Sequence, residues 1–326
     1  MRRVLPSLLI IAATTYLSAQ EDDWSMNNKF NAYAEFLFWK RNLAPHGKVL
    51  AGNSVREHRE LSAMMVSKKF DYAPGLGLGL MYQPSERKIF DFRFTMFETW
   101  NAHRTAAKTG ELYYPFTMYE FLGGNTDWVN ADQAQGKWNS KFYSAEVGYY
   151  HYLGPRRDNY FAFAWQVVPR YIYIPEKFKL SYTKEGSISN YKLNSSNHLW
   201  GIQLGSILEY NSVSTLYWQF GTKIGIFANS ADQHQHMRDR GNTITLYNNH
   251  AEAYQCAMDV QLDLRLVYQI KSMLSAYLGY SYLYIWGIAT APGQARNIGV
   301  PNITGDVKIK DYVQYYGGTL GLSYGF

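Results

Sequence analysis

The stretch that most limits what this chain can fold into is MDVQLDLRLVY, residues 258–268. Met258, Val260, Leu262, Leu264, Leu266 and Tyr268 are apolar, and Asp259, Gln261, Asp263, Arg265 and Val267 alternate with them. A period of two is that of a β-strand, whose successive side chains point to opposite faces. One face is hydrocarbon; the other carries three charges. Lipid accepts charge only at high cost. Strands that face lipid must also bond every backbone group to a neighbouring strand, which requires a closed barrel. The pattern therefore predicts a barrel with lipid outside and a polar lumen inside.

The alternation recurs along the chain. Leu274, Ala276, Leu278, Tyr280, Tyr282, Tyr284 and Trp286 oppose Ser275, Gly279 and Ser281. Leu216, Trp218, Phe220, Ile224 and Ile226 oppose Gln219 and Lys223. Phe90, Phe92, Phe94 and Met96 oppose Asp91, Arg93 and Thr95, while Leu76, Leu78 and Leu80 oppose Gly75, Gly77 and Gly79. Aromatic residues are 17% of the chain, with 29 Tyr. A helical membrane protein needs runs of about 20 apolar residues, and a barrel needs none. The only long apolar run opens the chain. Arg2 and Arg3 precede an apolar core from Leu5 to Leu17 and a small-residue site at Ser18-Ala19, the form of a secretory signal peptide.

We therefore expect residues 1–19 to be a signal peptide and 20–326 a single outer-membrane barrel, all-β, antiparallel and up-and-down. Predicted strands are 31–40, 71–82, 89–103, 138–152, 159–174, 197–210, 215–229, 251–269, 273–288 and 311–326. Short connections alternate with long ones at 41–70, 104–137, 175–196, 230–250 and 289–310. Short periplasmic turns and long extracellular loops are the layout of a bacterial outer-membrane barrel of about ten strands. Segments 62–70, 111–121 and 176–183 also carry β-formers, so 12–14 strands is the alternative. Without Arg2 and Arg3 the formal charge falls from +6 to +4, too mild to predict a nucleic-acid partner. Cys256 is the single cysteine, so no disulfide forms within the chain.

The inward charges are Glu35, Asp91, Arg93, Glu146, Arg170, Glu209, Lys223, Asp259, Asp263 and Arg265. They fit a conduit whose charges select ions or solutes. They equally fit a salt-bridged plug, because a barrel of about ten strands is narrow. Lys223 is placed to pair with Asp259 or Asp263. Trp39, Trp100, Trp138, Trp200 and Trp286 lie near the long-loop ends, where an aromatic belt is expected. Seven of the eight His fall on the long-loop side: His46, His58, His103, His198, His234, His236 and His250. In DQHQH, Asp232, His234 and His236 are weak candidates for a metal, and long polar loops collect such residues without one. We find no GxSxG, HExxH, Walker-type or CxxC motif. We expect no metal, no cofactor and no enzymatic activity.

The chain ends in YYGGTLGLSYGF, with Phe326, Tyr324, Leu322 and Leu320 on one face. This resembles the signal read by the bacterial barrel-assembly machinery. The first strand AYAEFLFWKRN and the segments DYAPGLGLGLMYQPSERKIFDFRFTMFETWNAHRT, WNSKFYSAEVGYYHYLGP and VVPRYIYI resemble the porin-like major outer membrane proteins of Legionella and environmental chlamydiae, over residues 30–175. NHLWGIQLG and KIGIFANSAD are also similar to planctomycete outer-membrane barrel proteins. The first resemblance implies passive passage of small solutes or ions, although the classical members are larger barrels. The second expectation is a closed barrel acting as a surface adhesin or envelope structural protein. The third is a barrel hydrolase built from Asp232 with His103, His198 and His250. Expected partners are outer-membrane lipid, the assembly machinery and small solutes or ions, with a host surface or a second copy of the chain as further candidates.

Overall fold

The computed structural model describes residues 29–42, 49–53, 59–114, 128–154, 160–213, 215–239, 241, 245–295 and 307–326. The expected signal peptide lies outside these residues. Strands β1 (Phe30–Asn42), β4 (Tyr72–Ser85), β5 (Lys88–Tyr113), β6 (Ala131–Tyr152) and β7 (Phe161–Lys184) form half of the wall. Strands β8 (Ser187–Val213), β9 (Leu216–Arg238), β10 (Thr245–Lys271), β11 (Leu274–Ile288) and β12 (Asp311–Gly325) form the rest. Each pairs antiparallel with its neighbours, and β1 pairs with β12 to close a ten-stranded barrel. At that seam the Phe326 N–H donates to the Phe30 carbonyl at 2.9 Å. Leu322, Tyr324 and Phe326 point outward and are about half exposed. The proposed assembly signal is thus the outer face of the closing strand.

The ten predicted strands are the ten wall strands. The 12-strand alternative fails in a specific way. Two further strands, β2 (Val49–Asn53) and β3 (Arg59–Ser62), form a hairpin that joins only the upper end of β5, at Tyr113 and Leu112. Within 62–70 the chain forms a short helix, α1 (Ala63–Ser67), capped by Ser62 Oγ, which accepts from the Met65 N–H at 3.2 Å. Segment 176–183 extends β7, and 111–113 extends β5; residues 115–121 lie outside the described residues.

Two of the expected long loops, 175–196 and 230–250, are mostly strand. β7 and β8 stay paired up to Lys184 opposite Ser187, leaving Glu185 and Gly186 as a two-residue turn. Both have positive φ, 49° and 77°, the conformation that matches hairpin twist. Strands β5 to β10 are 22–27 residues long, while β1, β4, β11 and β12 are 13–15. One side of the barrel therefore rises as a tall six-strand wall. The connections of the short side, carrying β2, β3, α1 and the turn Pro292–Gln294, pack against its inner face. Val66 sits against Gly136 of β6, and the Tyr182 hydroxyl of β7 donates to the Leu50 carbonyl at 2.6 Å.

The outer face carries the lipid belt. Phe36, Leu80, Phe92, Ile202, Leu204, Ile224, Ile226, Leu278 and Leu320 are each at least 44% exposed, so apolar surface meets hydrocarbon on strands all round the wall. Trp200 and Trp286 join this surface. Trp39, Trp100 and Trp138 do not: they point inward and are buried, which corrects the expected aromatic belt.

Glycines on β4 explain GLGLGL. A Cβ at Gly79 would lie 2.0 Å from the Tyr33 ring, and one at Gly77 would lie 2.5 Å from Glu35 Oε2. The glycines are the recesses into which β1 folds its inward side chains. Gly79→Val is expected to cost about 1–3 kcal/mol through overpacking, read as a lower urea midpoint for the detergent-folded barrel. Tyr33→Ala in the same chain should recover part of that loss.

Candidate functional site in the lumen

Period-two alternation sends all ten predicted charges inward, and the structure gathers them into one layer. Arg93 bonds Glu35 and lies 3.9 Å from Glu146. Arg265 reaches the other oxygen of Glu35 at 3.3 Å, where the Tyr277 hydroxyl also donates at 2.8 Å. Lys223 Nζ lies 2.7 Å from Glu146, and Arg170 lies 3.5 Å from Asp259. The remaining three carboxylates are held by neutral donors. Tyr33 and Tyr150 donate to Asp91, Tyr152 and Gln219 to Glu209, and Ser281 and Gln261 to Asp263. The expected pairing of Lys223 with Asp259 or Asp263 is corrected. Lys223 reaches across the lumen to β6, while Gln203 and Arg170 hold Asp259. The lumen is narrow enough that a lysine on β9 spans the chord to β6, three strands away.

An unpaired charge in a poorly hydrated interior is costly, and pairing with further hydrogen bonds offsets that cost. The layer follows this rule, so the expected conduit is at this level a paired network. A cavity of about 50 Å³ remains, lined on its charged side by Asp91, Arg93, Glu146, Lys223, Asp263 and Arg265. It has room for a few waters at most.

Above the charges, toward the long-loop end, the inward face turns apolar. Leu37 and Trp39 of β1 meet Phe97 and Trp100 of β5, Trp138 and Phe142 of β6, Ile172, Ile174 and Phe178 of β7, and Tyr315 of β12 in one buried cluster. Trp100 donates its indole N–H to the Trp39 carbonyl at 3.0 Å. Inside this cluster lies an ion pair that the sequence reading missed, Arg41 with Glu176, both side chains fully buried. The Arg41 guanidinium lies 4.8 Å from the ring centroids of both Phe70 and Trp138, a cation–π arrangement in a dry site. Glu176 also accepts from the Trp138 indole and, at 2.9 Å, from the Ala291 N–H. Four parts of the chain, β1, β6, β7 and the 289–295 segment, thus meet at one carboxylate, and the segment after α1 covers the Arg41 side of the pair with Phe70. The 289–295 segment is also tied to the tall wall, because Ser195 and Asn197 both donate to the Ala289 carbonyl.

The signal for both residues was present. Arg41 has the parity of Glu35, and Glu176 has that of Arg170. Both lay just beyond the predicted strand ends, and Pro175 reads as a strand boundary. In the structure Pro175 stands within β7, and pairing continues on either side of it.

The histidines do not form a lumen site. Asp232, His234 and His236 point outward from β9, with His250 across from His234 on β10. His234 Nε2 donates to Asn248 Oδ1 at 2.8 Å, and Ser196 donates to Asp232. His198 faces outward on β8 and His103 on β5, three strands away. Among the described residues no three His, Cys, Asp or Glu side chains gather as a metal set; His46 and His58 lie outside the described residues.

Removing one member of the buried pair leaves the other charge alone. Arg41→Met is expected to destabilise the folded barrel by about 3–5 kcal/mol, read as the denaturant midpoint in detergent. Arg41→Met with Glu176→Met should recover most of it.

No protein-family model and no curated protein sequence matches the chain. Similar solved structures include the outer membrane protease OmpT from Escherichia coli, with TM-score 0.48 and 9% identity over 91% of this chain and 96% of that one. The translocator domain of autotransporter NalP from Neisseria meningitidis has TM-score 0.43 and 9% identity, covering 92% and 89%. The monoaromatic hydrocarbon channel CymD has TM-score 0.33 and 9% identity, covering 92% and 89%. The expectation that this chain is not an enzyme is withdrawn: a protease stands among the barrels it is similar to, and such a fold is compatible with catalysis. The chain is an outer-membrane β-barrel, and at these identities nothing of its neighbours' activities carries over.

Proposed function

We propose that this protein is a filled barrel that acts through the wall it raises above the outer membrane, as an envelope or surface-recognition protein, and not as a porin-like conduit. The observation that carries this reading is the apolar layer closed around Arg41 and Glu176, stacked on the paired charge layer. A solute crossing the lumen would have to break both. The tall wall of β5–β10 supports the same reading, because only surface exposed to the outside uses the extra strand length. Export through residues 1–19, delivery by the assembly machinery through the β12 signal, and kinship with the porin-like family over residues 30–175 belong to this proposal. The open pore that kinship implies does not.

Planar-bilayer recording tests it. The purified, folded protein is expected to insert without discrete, salt-dependent conductance steps. Such steps from the wild-type chain would return the passage reading, and Lys223→Gln or Arg265→Gln should then change ion selectivity.

A further inference from the structure

Strand pairing places one outward row across the tall wall, running His103, Lys137, Lys179, Lys192, His236 and Asn248 on β5 to β10 in order. Three lysines stand directly side by side. Like charges opposite one another on a sheet face destabilise it, yet no carboxylate occupies the row. Among the described residues no ion pair involves Lys137, Lys179 or Lys192. Burial, and then Lys192 and Lys137 on either side, hold the Lys179 ammonium below its usual range. Lys177, two residues lower on the same face, and Lys141 on β6 extend the basic surface toward the membrane. Beside Lys137 the wall forms a recess of about 340 Å³, lined by Asn101, His103, Gln135, Lys137 and Asn139.

The height of the row limits what can face it. Tyr143 and Tyr173 mark the upper aromatic edge of the belt, ring to ring at 5.9 Å. Lys179 is six residues above Tyr173 on β7. At about 3.3 Å per residue and a tilt of about 40°, the row stands about 15 Å above that edge. Ordinary phospholipid headgroups add only about 5–7 Å per leaflet. A membrane molecule that reaches the row must carry its negative charge on an extended headgroup.

We propose that this row binds the phosphate groups of a glycolipid of the outer leaflet, with acyl chains along the apolar belt and a phosphorylated saccharide against Lys137, Lys179 and Lys192. The surface faces sideways, along the membrane plane, where neighbouring lipids stand. The inference does not depend on whether the lumen conducts.

The test is thermal unfolding of the intact protein in neutral detergent, titrated with lipopolysaccharide, enzymatically dephosphorylated lipopolysaccharide, phosphatidylglycerol and an acyl-free phosphorylated oligosaccharide. Lipopolysaccharide should raise the Tm of the wild type. The triple variant Lys137→Gln, Lys179→Gln, Lys192→Gln should bind it about a hundred-fold more weakly, from about five-fold per lysine at an anionic surface. That variant relieves repulsion, so it should fold; the matching Lys→Arg triple should keep binding. Equal binding by the Gln variant, or of dephosphorylated lipid, would overturn the proposal. Equal response to phosphatidylglycerol would overturn the extended-headgroup assignment, and equal response to the acyl-free oligosaccharide would replace the lipid with a soluble polyanion.

Discussion

Hydrocarbon will not take an unpaired backbone group or an isolated charge, and that constraint shapes the membrane-spanning half of this barrel. It closes the ten strands at the β1–β12 seam and forces apolar residues outward at every second position. A barrel obeying it has a single enclosed space for its polar side chains. In this chain that space is small, so polar residues sent inward must satisfy one another. Glu35, Glu146 and Asp259 are paired with arginine or lysine, and Asp91, Glu209 and Asp263 are held by hydroxyls and amides. The glycines at 77 and 79 let these side chains lie across the lumen without collision.

The upper half obeys a different solvent. Above the membrane the outer face meets water, and the inner face packs against the connections of the short side. The phase of the apolar pattern therefore inverts along a single strand. In β7, Phe163, Trp165 and Tyr171 are outward near the membrane, whereas Phe178, Leu180 and Tyr182 are inward above it, and Lys177, Lys179 and Ser181 take the outer face. Between the two zones both faces are apolar. The runs FLFW at 36–39 and YIYI at 171–174 mark that crossover, where lipid touches one face and the filled lumen the other.

This inversion decides what was legible in the sequence. Below the crossover, apolar-out alternation gave all ten wall strands and the inward direction of all ten charges. Above it the same residues break the alternation, so 175–196 and 230–250 read as loops although they are mostly paired strand. All five tryptophans read as lipid anchors, wrongly for three, because their place near strand ends was visible and their parity was not used. Arg41 and Glu176 were missed for the same reason. Partner choice in the charge layer was not legible at all. It depends on lumen width, which let Lys223 cross to Glu146 instead of pairing with its neighbour strand.

The central claim is that the lumen is filled at two levels, and thiol accessibility tests it most directly. In a Cys256→Ser background, single cysteines at Ser281 in the charge layer and at Leu37 in the apolar layer would be exposed to a membrane-impermeant thiol reagent. A cysteine at Ser187, the first residue of β8 beside the β7–β8 turn, serves as the accessible reference. The account predicts rapid labelling at 187 and none at 37 or 281 until the barrel is unfolded. Labelling at 37 and 281 at a rate near that of 187 would contradict it.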